Sequence, residues 1–184
     1  TRLSSDVVAV AHASYVAELV GALLPAEAPD AHALEVICAL WDSLAAHGPS
    51  PGALRAVELA LLDLAGHKPA IDHCAACGET ALESNAVFDP ARGGAICRRC
   101  AASSRGLGIR PLDPQTRAYL REVIALDMPA AARAVDTDDR FTTADRHAAR
   151  DAMLGMVTSL VGRPLRSLEY IAKLGAAAGR GGTR

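Results

Sequence analysis

Apolar residues return every three or four positions through most of the chain, and the runs they form stop at glycine or proline. From Leu3 to Leu24, Val8, Ala11, Tyr15, Leu19 and Leu23 recur at helical spacing, with Ser4, Ser5 and Asp6 as candidate N-caps and Pro25 as the stop. A second helix fits Ala31 to His47. Its apolar positions Leu34, Ile37, Leu40, Trp41 and Leu44 fall on one stripe, and Gly48-Pro49 ends it. A third runs from Pro51 to Ala65, with Ser50 as cap, proline in its first turn and Gly66 as terminator. The pattern resumes at Asp113-Pro114, which opens a helix to about Leu126. A short helix over Met128 to Ala134, a long one capped by Thr142 or Thr143 and ending near Gly162, and a last segment from Pro164 to Leu174 complete the series.

The middle of the chain breaks this rhythm. Ala86-Val87-Phe88 and Ala95-Ile96 read as strands, and Asp89-Pro90-Ala91-Arg92-Gly93-Gly94 supplies the proline φ and glycine freedom of a turn. The expected fold is therefore mainly α, a helical bundle with an inserted β-hairpin. Residues 1–71 form its first helical part, 72–104 the insertion, 105–174 the second helical part and 175–184 a flexible tail.

Cysteine spacing identifies the insertion. Cys74-Ala-Ala-Cys77 and Cys97-Arg-Arg-Cys100 bracket the hairpin, and a two-residue spacer lets a tight turn aim both sulfurs at one point. Two such knuckles make a tetrahedral Cys₄ shell for one structural Zn²⁺, a zinc ribbon with no open coordination position. Gly78 suits a backbone curling over the metal. Paired disulfides are not expected, since the N-terminal stretch lacks the basic region and apolar run of a signal peptide. A thioredoxin-like redox pair would open a helix after a strand, which this arrangement does not do. His73 beside Cys74 is expected to face solvent or to support the site from outside, and Cys38 to be a small buried hydrophobe.

Composition marks an ordinary globular chain: of 184 residues, 51% are hydrophobic and 22% charged. Aromatics make up only 3%, so Ala, Leu, Val and Ile must build the core and few rings are left to stack on bases; Tyr15 and Trp41 are expected at the core or its rim. No apolar run is long enough for a membrane span, and cytoplasmic residence is expected. Neither a Ser-His-Asp constellation, a phosphate-cradling Gly-rich loop nor an open metal triad is present in the sequence, so a non-catalytic role is expected. The acidic run Asp136-Thr137-Asp138-Asp139 reads as a solvated loop approaching a helix.

Charge is unevenly spread. In residues 1–66, Arg2 and Arg55 stand against eight carboxylates, whereas in residues 92–121 seven arginines face only Asp113, and residues 163–184 carry five cations against Glu169. Such asymmetry points to a polyanionic partner. Arg98, Arg99, Arg105, Arg163 and Arg166 are the candidates for a surface that contacts phosphates or carboxylates of that partner.

Several phrases, in order, carry a resemblance: Ala13-Ser14-Tyr15-Val16-Ala17-Glu18-Leu19, Leu-Leu-Pro at 23–25, Ala-Leu-Arg-Ala-Val-Glu-Leu at 53–59, Asp72-His73-Cys74-Ala75-Ala76-Cys77-Gly78, Phe88-Asp89-Pro90 with Gly93-Gly94, Cys97-Arg98-Arg99-Cys100, and Gly162-Arg163-Pro164-Leu165-Arg166-Ser167. Together they resemble the RecO family of bacterial recombination proteins. The resemblance implies a helical domain with an inserted zinc ribbon, acting without catalysis in RecF-pathway repair and recombination. It also implies binding to single- and double-stranded DNA, to RecR and to the acidic C-terminal tail of single-stranded DNA-binding protein. Strand annealing, RecA loading and a nucleoid-associated location go with it. Family members begin with an oligonucleotide-binding barrel, whereas the phrases found here begin at the first helix. The competing expectation is a zinc-stabilised protein interaction domain that does not touch nucleic acid.

Overall fold

The computed structural model describes residues 6–24, 30–82, 86–104, 106, 108–126, 128–168 and 170–171. The elements follow in order: α1 (Val7–Leu23), α2 (Ala31–His47), α3 (Pro51–Leu64), β1 (Val87–Asp89), β2 (Gly94–Ile96), α4 (Arg98–Ala101), β3 (Arg110–Pro111), α5 (Pro114–Leu126), α6 (Pro129–Ala132) and α7 (Thr143–Val161). Local caps fix most boundaries. Asp6, Asp30 and Ser50 accept from the first free N–H groups of α1, α2 and α3, and Asp113 does the same for α5. Thr142 and Asp145 form a reciprocal capping box on α7, which ends at Gly162. Ser4, Ser5, Pro25 and the tail from 175 lie outside the described residues, as does the last part of the segment to Leu174; residues 166–168 and 170–171 are helical.

Helix α3 is the axis of the bundle. Every residue from Gly52 to Leu59 is buried, as are Leu61 and Leu62, because α1, α2, α5, α6 and α7 all pack around it. Leu61 and Leu62 are fully enclosed, each contributing on the order of 2 kcal/mol by area. Tyr15 and Leu19 of α1, Leu40 of α2, Leu120 of α5 and Met153 and Met156 of α7 close the core. Tyr119 meets Phe141 edge to face at 5.4 Å.

The α2 stripe differs from the expected one. Its buried face is Ala33, Val36, Leu40, Ser43 and Leu44, whereas Leu34 (62%) and Trp41 (42%) are exposed and Cys38 faces outward. The inner face combines Ala33 and Ser43 with Val36, Leu40 and Leu44, and Leu34 and Trp41 fall on the open side. Val8 of α1 is likewise exposed. The acidic run is not merely solvated. Asp136 accepts from the Ser50 hydroxyl at 2.5 Å and from Gly52 N–H at 2.8 Å, so it caps α3 from the 3₁₀ turn Arg133–Asp136 that follows α6.

The hairpin gains a third strand, giving the antiparallel order β2-β1-β3. Val87 pairs with Ile96 and with Pro111, and Phe88 with Ala95 and Arg110. A parallel bridge joins Ala70 to Gly94, with Ala95 N–H donating to Ala70 O at 2.7 Å. The backbones are so close there that a Cβ on Gly94 would lie 2.4 Å from Ala70 O. The strands use their alternation. Phe88 and Ala95 enter the main helical core, while Ile96 and Val87 pack with Cys74 and Cys97 in a small second cluster. The hairpin is thus rooted in the bundle on one face and in the cysteine cluster on the other.

Candidate metal centre and cationic pocket

The four knuckle cysteines converge. All their Sγ atoms lie within 4.8 Å of one another, with Cys77 and Cys97 3.9 Å apart. Tight turns aim them: Gly78 N–H donates to Cys74 O at 2.8 Å in the first knuckle, and Ala101 N–H to Cys97 O at 2.9 Å in the second. Cys74 and Cys97 are buried, Cys100 is half-buried and Cys77 is exposed. Burial disfavours the Cys74 thiolate, but N–H groups of Cys97, Ala76 and Cys77 outweigh it and bring the thiol down to about 6. Cys100 is pushed up to about 12 by hydrogen bonding to the Cys77 and Cys97 sulfurs. Four sulfurs in so small a space cannot all ionise unless a cation lies between them. The Cys77–Cys97 separation is close to the edge of a tetrahedron whose metal–sulfur bonds are about 2.3 Å, and four converging thiols are the donor set of a thiophilic divalent ion. His73 is exposed beside the cluster.

The candidate arginines divide. Arg98 and Arg99 are exposed at the second knuckle, but Arg99 Nη2 lies 3.9 Å from Cys77 Sγ and leans over the cluster. Arg163 and Arg166 are exposed beside α1, where Arg163 pairs with Glu18 at 3.7 Å. Arg105 lies outside the described residues. No contact joins the knuckle pair to the α1 pair among the described residues. Other arginines of the cationic segment are spent on structure: Arg92 pairs with Asp89, Arg110 with Asp151 and Arg121 with Asp72, while Arg117 donates to Leu82 O at 3.1 Å.

A different cationic site was not foreseen. A cavity of about 320 Å³ opens between α1, α3, α5 and α7, with Leu54, Leu154, Leu168 and Ile171 as apolar walls. Arg55, Arg146, Arg150, His12 and His147 line it, and no carboxylate does among the described residues. Arg55 is paired with Glu58 and Arg150 with Asp151. Arg146 has no carboxylate partner among the described residues; Val135 O and Asp138 O accept its N–H groups at 2.9–3.2 Å and hold the guanidinium in place. His12 is pushed down to about 4 by burial and by Arg55, against a smaller opposite pull from Asp6.

That depression has a pH consequence. An unfolded histidine titrates near 6.5, so the unfolded chain takes up a proton before the folded one does. The stabilisation is complete above about 6.5 and is lost as pH falls toward about 4, by at most about 3 kcal/mol. Denaturant titrations at about pH 7 and about pH 4.5 should show a smaller pH-dependent loss for His12→Gln than for the parent. Equal losses would remove His12 from the account.

Comparison with known proteins gives the context. A family model described as Recombination protein O C terminal matches residues 4–169. The chain belongs to the RecO family. Among RecO relatives, the DNA repair protein RecO of Anaeromyxobacter sp. (strain K) is 32% identical over 173 residues, which is 94% of this chain and 65% of the relative. That of Roseiflexus sp. (strain RS-1) is 38% identical over 104 residues, covering 56% of this chain and 37% of the relative. That of Symbiobacterium thermophilum is 38% identical over 111 residues, covering 57% and 43%. The chain thus spans about two thirds of the length of the Anaeromyxobacter RecO protein. No helix among the described residues is long and apolar enough to cross a membrane.

Two of the RecO-like phrases contribute to the cavity and a third leads into it. The α1 phrase supplies Tyr15 and the α3 phrase Leu54 and Arg55 to its lining, and the last phrase, ending at Ser167, runs directly into Leu168 of its wall. Glu18 accepts from Arg166 N–H, Ser167 N–H and the Ser167 hydroxyl at 2.6–3.0 Å. Burial works against this carboxylate, but those bonds and Arg163 hold it below its ordinary range. The latch sets Leu168 and Ile171 in the cavity wall. One signal in the sequence could have found the site: an Arg and a Glu on α3, one helical turn apart within a run that is otherwise wholly apolar.

Proposed function

We propose that this RecO-family chain is a non-catalytic docking module of recombinational repair, pinned by a structural zinc ion on Cys74, Cys77, Cys97 and Cys100. Four thiolates leave the ion no open position, so its role is to fix the shape of the knuckles. The cavity receives the acidic C-terminal tail of single-stranded DNA-binding protein: the tail's aromatic end lies against Leu54, Leu154 and Leu168, and its carboxylates face Arg146 and Arg150. The observation that carries this reading is an apolar pocket with three arginines and, among the described residues, no acid in its lining. Arg98 and Arg166, exposed and without ion pairs among the described residues, supply contacts to DNA phosphates, with Arg99 and Arg163 beside them. Contact with RecR, strand annealing and RecA loading are part of the same proposal, supported by membership of the RecO family.

A second reading has its own support. Arg92, Arg99, Arg110 and Arg121 are all engaged within the chain, which favours a protein interaction domain that does not touch nucleic acid. Titrating the chain with a single-stranded oligonucleotide and with an acidic peptide ending in phenylalanine, at about 50 and about 200 mM salt, separates the two. Peptide affinity should fall at least about tenfold in Arg146→Ala, the scale of a lost charge-assisted bond. The DNA salt slope should flatten by roughly two in the double variant Arg98→Ala, Arg99→Ala. An unchanged slope excludes these arginines from DNA contact, and unchanged peptide affinity excludes the pocket.

A further inference from the structure

On the buried side of the cavity the Tyr15 hydroxyl from α1 and Arg55 Nη1 from α3 face the Glu58 carboxylate, while His12 Nδ1 from α1 and the Tyr119 hydroxyl from α5 are buried with no hydrogen-bond partner among the described residues. Natural proteins rarely leave such atoms unsatisfied, and a cluster of them marks a place where a ligand or water completes the set. Glu58 is wholly buried and does not itself line the cavity, whereas its ion-pair partner Arg55 does. The pocket therefore holds a cation already facing an internal carboxylate.

We propose that Glu58 is a built-in competitor for the acidic ligand: when a ligand carboxylate engages Arg55, Glu58 gives up that partner and takes a proton from solvent, so that binding and proton uptake are coupled. This rests on the pocket reading above. The chemistry balances simply, since the guanidinium keeps its charge, the ligand stays anionic and one proton moves from buffer to a Glu58 oxygen. A buried carboxylate left beside a second anion is strongly disfavoured if it stays charged, and protonation removes that cost.

The surroundings of Glu58 support this direction. Burial already lifts it above the ordinary carboxylate range, with Arg55 and Tyr15 opposing. From α1 it is faced by Tyr15, with His12 and Glu18 nearby, and from α5 by Tyr119, around which lie Asp136 and Arg146 of α7. Neither α2 nor α6, which also pack on α3, sets a charge against it. An anion on Arg55 raises Glu58 further. Affinity then increases as pH falls through the bound-state value and levels off below the free-state value, by roughly tenfold for each unit between them.

The test is calorimetry of the full chain with a synthetic acidic peptide ending in phenylalanine, in two buffers of different ionisation enthalpy. It is paired with infrared difference spectra of protein carrying isotope-labelled glutamate carboxyls. Uptake approaching one proton, together with a new protonated-glutamate band, is the expected result. Glu58→Gln, where it folds, should lose both signals. Binding without the protonated-glutamate band, with or without proton uptake, overturns the role of Glu58 and leaves the pocket reading intact. Failure of the peptide to bind the unaltered chain at any pH overturns the pocket reading and this proposal with it. The calorimetry and spectra use the unaltered chain, so they decide the question even if the Glu58→Gln protein misfolds.

Discussion

A Gly52→Ala chain should melt roughly 10 °C below its parent, a loss on the order of 3 kcal/mol for a protein of this size. On helix propensity alone the sign would be opposite, since alanine is favoured over glycine inside a helix by about 1 kcal/mol. Space decides it. A Cβ at Gly52 would lie 2.3 Å from Ala132 O and 2.6 Å from Val135 Cγ2. The first of these is backbone and cannot swing aside. Displacing α6 would also lengthen the bond from Gly52 N–H to Asp136 and loosen the Ser50 contact, so the cap of the central helix would go with the packing. A thermal melt followed by circular dichroism settles the sign, and an unchanged or higher midpoint would show that the α3–α6 contact yields easily.

Cys97→Ser, or stripping the ion with a strong chelator, should have the second large effect. Structural zinc sites supply about 10 kcal/mol or more of apparent binding free energy, comparable with the whole stability of a domain. Global unfolding is nevertheless not the expected outcome, because Phe88 and Ala95 anchor the hairpin in the helical core independently of the sulfurs. Amide exchange in residues 72–82 and 97–104 should accelerate to nearly the unprotected rate, while α3 and α5 keep most of their protection. Collapse of helical signal on metal removal would show that the two faces of the hairpin are one cooperative unit. Metal analysis of the parent should give one zinc per chain, and retention of that zinc by Cys97→Ser would exclude Cys97 as a ligand.

What could be read before the structure was what depends on near neighbours. Asp6, Ser50, Asp113 and Thr142 cap helices that begin within a residue or two of them, and Gly48 and Gly162 end helices by local geometry. Cysteine spacing is equally local. Asp136 looked like part of a solvated acidic run because its partners, Ser50 and Gly52, are 86 and 84 residues away. Arg110 and Arg121 counted as free cations for the same reason, their partners being Asp151 and Asp72. Strand β3 is a two-residue segment containing proline, with no alternation to announce it. The α2 stripe is half legible: periodicity places Leu40 and Leu44 on the inner face but does not tell that Ala33, Val36 and Ser43 share it while Leu34 and Trp41 do not. The pocket needs four helices at once, and its most telling members, Arg55 and Glu58, resemble an ordinary exposed i,i+3 pair until their burial is known.

The Glu18 latch has a bearing on the order in which the molecule assembles. Its bonds to Arg166 and Ser167 close a loop of 148 and 149 residues, so they can form only after nearly everything between them is in place. Leu168 and Ile171 follow that latch in the chain, so the cavity wall they supply is expected to complete late in folding. The same wall should be the earliest to detach when the native protein breathes, and a ligand seated there would hold the two distant ends of the described chain together.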